Sequence, residues 1–308
     1  MDNMENESVM DTPQVAEPTP TPSNKYKIPV IAECIVFLLL FFITMLVSGI
    51  VAEIVIPTTD GQDMDYLFLY TILSSILSFT VIALMQRGVN REPLSKLGFR
   101  RIKSPAECLL IGIGVPTAIF LVNFVINWLA GSVRIESVQW APADLMLSLL
   151  FFIPAAFVEE IWMRSYLLNI LLRTRMPSWL SVLIMSLVFA AVHLANPGID
   201  LLSVVNLTVA GILLGVLFVY TRNLLYPLVF HFMWNWLQGS VFGFKVSGTD
   251  YFSSVIQLQL TRDDLLNGGS FGFEGSVLCT ILGSLAIAGL AIYFKATASP
   301  PAGHIHPK

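Results

Sequence analysis

The chain has 308 residues, of which 55% are hydrophobic and only 12% charged, with a formal net charge of -4 and a mean hydropathy of +0.74. A soluble domain of this length carries about twice that share of charge, so the chain reads as a lipid-embedded protein. The few Lys and Arg form no aromatic-interleaved basic stripe, which excludes nucleic acid as a partner.

The acidic, Thr- and Pro-rich residues 1–27 contain too little apolar material to offset the entropy of ordering and are expected to form a disordered tail. They lack the basic start and small-residue cleavage site of a signal peptide, so the first apolar run is expected to be retained. Eight stretches then come close to the roughly 20 apolar residues needed to span a bilayer. Three run from Ile28 to Ile56, Tyr66 to Met85 and Cys108 to Ala130, making residues 28–130 an N-terminal three-helix unit. Four more run from Leu145 to Leu172, Trp179 to Leu194, Leu202 to Tyr220 and Leu224 to Phe242, and form a core over residues 145–243. A segment at 244–275 precedes the last span, Ser276 to Phe294 in the 276–294 region, and 295–308 reads as a second disordered tail. The expected fold is all-α: a polytopic transmembrane bundle of about eight spans.

Loop charge gives the expected orientation, because Lys and Arg are retained on the cytoplasmic side. With eight spans, one side receives Lys25, Lys27, Arg87, Arg91, Lys96, Arg100, Arg101, Lys103, Arg173, Arg175, Arg222, Lys295 and Lys308, while the other receives Arg134, Lys245 and Arg262. The reading is a multi-pass protein of the cell membrane with both termini cytoplasmic. Cys34, Cys108 and Cys279 fall in separate apolar runs and read as packing residues.

The fourth span holds Phe157-Val-Glu-Glu-Ile-Trp-Met-Arg164. Each intramembrane charge costs about 2.5–3.5 kcal/mol, so such residues are functional by default. Glu160 and Arg164 are spaced i,i+4 and can pair. Glu159 is turned about 100° away, which leaves it free to act. Counted from Arg173 it lies about 21 Å along the helix, a depth at which it is expected to be buried. His193 lies about 22 Å along the next span from Ser178, at matching depth. His231 and Asn235 share a face of the seventh span at i,i+4. A charge pair at a helix end, or a single packed histidine, would be structural. A free carboxylate, two imidazoles and an amide on three helices are instead the parts that activate water and stabilise an oxyanion. Pro154 and Pro227 precede these groups and can loosen their helices, and Gly211-Ile-Leu-Leu-Gly215 permits close helix approach.

The ordered set Glu159-Glu160-x-x-x-Arg164, Phe189-x-x-x-His193 and His231-x-x-x-Asn235 resembles the CPBP (Abi) family of intramembrane proteases, which includes the CAAX-processing Ras-converting endopeptidase. The resemblance covers about residues 145 to 243. It implies that Glu159 and His193 activate the attacking water, that His231 and Asn235 donate to the oxyanion, and that Glu160 and Arg164 are structural. Cofactor use stays open between none and a divalent metal such as zinc. The sequence contains no HExxH, yet Glu159, His193 and His231 could supply three zinc ligands. A metal-free route gives Glu159 a role without requiring His231 as a ligand. The expected partners are the lipid bilayer and a peptide or membrane-protein substrate. A non-catalytic binding or immunity protein on the same fold is the main alternative, and a proton-coupled carrier is a third.

Overall fold

The computed structural model describes residues 29–59, 63–102, 104–262 and 264–297. Nearly all of the two tails expected to be disordered, including His304 and His306, lies outside the described residues. Among the described residues the chain forms eight helices. These are α1 (Val30–Val55), α2 (Met64–Val89), α3 (Pro105–Leu129), α4 (Pro142–Leu171), α5 (Ser178–Val192), α6 (Leu201–Thr221), α7 (Leu225–Trp236, prolonged by a π-helical turn at Leu237–Val241) and α8 (Val277–Thr297). Six are long and apolar enough to cross a membrane. The other two, α5 and α7, are shorter than the eight-span reading expected.

Local sequence sets several helix starts. Asp63 accepts from the backbone N–H groups of Asp65 and Tyr66, Ser104 from that of Glu107, and Asp200 from that of Ser203, each satisfying orphan donors of a first turn. Pro227 falls in the first turn of α7, where a missing N–H breaks no helical bond, so it does not loosen that helix as expected. Pro154 does lie inside α4, and the Ser75 hydroxyl donates to its carbonyl at 3.1 Å.

The contact faces of α1 and α2 hold many small or polar residues and their outer faces are apolar. α1 buries Thr44, Ser48 and Ala52 while exposing Leu39, Phe42, Leu46 and Ile50, and α2 buries Thr71, Ser74 and Ser78. Lipid gives no hydrophobic reason to hide leucine, so small residues take the helix contacts. The Gly211/Gly215 pair behaves as its spacing predicts. A Cβ on Gly211 would stand 2.8 Å from Ser186 Cα, and one on Gly215 would stand 2.8 Å from Val182 Cγ1, so α6 presses directly on α5.

The two ends of the bundle are distinct. At one end Leu224 N donates to Gly98 O at 3.1 Å and the Asn223 amide to Arg100 O at 3.0 Å, joining the α2–α3 and α6–α7 connections. At the other end an antiparallel strand pair forms, β1 (Val133–Val138) with β2 (Ile256–Leu260). This corrects the all-α expectation. β1 lies between α3 and α4 and β2 between α7 and α8, so the pair ties two connections that are far apart in sequence. Asn196, between α5 and α6, donates to Ser247 O at 3.2 Å and joins the same end.

Candidate active site

Glu159 and Glu160 close the regular part of α4, and a π-helical segment, Ile161–Leu168, follows at once. Such widened turns are found mostly at functional sites. Here the segment carries Arg164 back over Glu160. Arg164 Nη1 donates to Glu160 Oε1 at 2.7 Å, with both side chains enclosed. The guanidinium also reaches the Gly211 carbonyl at 3.5 Å and lies 4.5 Å from the centre of the Phe189 ring. Its charge is therefore met on three sides, as burial demands.

Glu160 also does something that its spacing from Arg164 does not reveal. His231 Nδ1 donates to the same Oε1 at 2.8 Å, across from α7 to α4. Because a carboxylate only accepts, Nδ1 carries the proton and Nε2 is turned towards Glu159. His193 is fixed in parallel. It is the residue that ends α5, and its Nδ1 donates to the Phe189 carbonyl at 2.7 Å. Its Nε2 is likewise left to face Glu159.

Both rings converge on one oxygen. Glu159 Oε2 lies 3.7 Å from His193 Nε2 and 3.9 Å from His231 Nε2. These separations exceed a direct hydrogen bond, and Oε2 has no hydrogen-bond partner among the described residues. The Glu159 side chain as a whole is a third exposed rather than enclosed, because it faces a cavity. The depth count expected a buried side chain, and this opening is why it is not fully buried.

The cavity has a volume of about 520 Å³, within the range of small-molecule and peptide sites, and His193, His231 and Asn235 line it with Glu159. Asn235 is half-buried and makes no hydrogen bond among the described residues. Its amide is available to a ligand. α7 thus brings both His231 and Asn235 to the cavity, as their i,i+4 spacing predicts.

These residues lie on α4, α5 and α7, and residues 139–237, which contain all of them, match the family described as Type II CAAX prenyl endopeptidase Rce1-like. This stretch is similar to the Rce1-like family. Neither the curated proteins nor the solved structures searched gave a match. The matched stretch covers α4 to α7 within a chain whose six long apolar helices mark it as a multi-pass membrane protein.

Other groups around the matched stretch were not singled out in the sequence. Glu274, 6% exposed, accepts from Ser247 N and Oγ at 2.7 Å each and from Trp234 Nε1 at 3.3 Å, and it lines the cavity. An acid isolated in Phe271-Gly-Phe-Glu-Gly275 was the available signal. Tyr70 and Ser74 of α2 face the same space from outside that stretch. Among the described residues, no group of three His, Cys, Asp or Glu side chains meets as a metal-holding set.

Proposed function

We propose that the protein is an intramembrane endopeptidase that hydrolyses a peptide bond with water activated by Glu159 and His193. One observation carries the reading: a carboxylate oxygen without a hydrogen-bond partner among the described residues faces the Nε2 atoms of two imidazoles, each held at Nδ1 by an acceptor, beside a cavity. A carboxylate kept without a partner in such surroundings is costly unless a ligand uses it.

In this reading a water donates one hydrogen bond to Glu159 Oε2 and one to the neutral Nε2 of His193. Its oxygen attacks the scissile carbonyl carbon as a proton passes to Glu159. The carbonyl oxygen becomes an oxyanion, which accepts from the Asn235 amide and from His231 Nε2. His231 can donate from Nε2 only while both ring nitrogens hold protons, and Glu160 against Nδ1 is the counter-charge for that form. The C–N bond then breaks, and Glu159 returns the proton to the departing amine. The surrounding apolar wall strengthens each of these charge interactions.

The test is comparative peptidomics of cells carrying the wild type or Glu159→Ala at equal membrane abundance. Peptides that vanish in the variant identify the substrate. Identical peptidomes would remove the hydrolase reading.

A further inference from the structure

We infer that the cavity opens on the extracytoplasmic side of the membrane, so that the substrate is an exported peptide or the extracytoplasmic segment of a membrane protein. The naming of this substrate class rests on the hydrolase reading above. The direction of opening rests on where the cavity lies in the bundle and on loop charge.

Every connection that contributes to the cavity wall comes from the end that holds the strand pair: Asn196 from α5–α6, and Val246, Ser247, Tyr251 and Glu274 from α7–α8. Among the described residues, none of the connections at the opposite end lines it. The helices agree. α2 contributes Leu67, Tyr70, Thr71 and Ser74 from its first half, α8 contributes Cys279 and Gly283 from its first two turns, and α5 contributes only its last turn. These stretches lie towards the strand end, while α1, α4, α6 and α7 line the cavity from their middle turns and none of them from its end at the closed side.

Towards the other end the site has a closed floor. The Glu160–Arg164 pair lies directly beneath the imidazoles, and Trp162, Tyr166, Leu217 and Phe218 are at most 1% exposed. These side chains fill the space on that side of Glu160.

Charge then assigns the two ends to compartments. Among the described residues the closed end carries Arg87, Arg91, Lys96, Arg100, Arg101, Arg173, Arg175, Arg222 and Lys295, against Arg134, Lys245 and Arg262 at the strand end. A cation bias of this size within short loops places the closed end in the cytoplasm. The cavity consequently faces away from it.

Single cysteines in the full-length Glu159→Ala chain, with Cys34, Cys108 and Cys279 replaced by alanine, test this without any need for turnover. Glu136→Cys reports the strand end, Tyr70→Cys the cavity and Arg175→Cys the opposite end. A membrane-impermeant maleimide should label Glu136→Cys and Tyr70→Cys in sealed right-side-out vesicles, and Arg175→Cys only in inverted ones. The reverse pattern, equal labelling in both preparations, or a Tyr70→Cys that stays unreactive where Glu136→Cys reacts, overturns the inference. The labelling is independent of the peptidomic result, so proteolysis and orientation can fail separately.

Discussion

Glu160 Oε1 accepts from two helices at once, from Arg164 at 2.7 Å within its own helix and from His231 Nδ1 at 2.8 Å across the bundle. The buried ion pair is therefore also the support of a cavity imidazole. Stability and the orientation of the site share one oxygen atom.

Removing that carboxylate should be expensive. Glu160→Ala leaves Arg164 buried and uncompensated, which destabilises by about 3–5 kcal/mol. Glu160→Gln keeps an acceptor but not the charge, so it should fold better than the alanine variant while still losing turnover. Thermal unfolding in detergent, paired with a cleavage assay, separates the two effects.

Glu159 should behave in the opposite way. Its Oε2 makes no hydrogen bond, so Glu159→Gln or Glu159→Ala should leave the melting temperature unchanged or higher. Turnover should fall by about 10²–10⁴-fold, the usual worth of a positioned base. His193→Ala should match it in turnover. Full activity in either variant would contradict their pairing on one water.

Asn235→Ala is expected to lower kcat by about 10²–10³-fold, corresponding to about 2.7–4 kcal/mol for a single oxyanion donor, with little change in KM. Steady-state kinetics on the identified substrate decides this. An effect confined to KM would make Asn235 a binding residue instead.

Two glycines provide a packing contrast. Gly211→Ala places a methyl 2.8 Å from the Ser186 backbone and should cost about 1–3 kcal/mol by forcing α5 and α6 apart. Gly289, in α8, has nothing within 4 Å of an added Cβ, so Gly289→Ala should be neutral or slightly stabilising. Parallel melting curves test both.

Glu274→Ala should loosen the wall between α7 and α8 without unfolding the bundle. It removes the acceptor of Ser247 N, Ser247 Oγ and Trp234 Nε1. Faster amide exchange at Ser247 than in the wild type, with helix protection kept, is the expected readout.

The sequence by itself determined the helices and which residues bear charge inside them. Apolar run length, i,i+4 spacing and loop cations are local properties, so the eight helices, the Glu160–Arg164 pair and the shared face of His231 and Asn235 could be read before any folding was considered. The strand pair could not, because β1 and β2 lie more than a hundred residues apart and each is too short to declare itself alone. Tertiary structure alone decided that His231 leans on Glu160, that both imidazoles turn Nε2 to Glu159, and that the strand-end connections line the cavity. Those outcomes depend on how each helix is rotated against its neighbours, and that rotation is set by close contacts such as Gly211 on Ser186 rather than by the periodicity of any one segment.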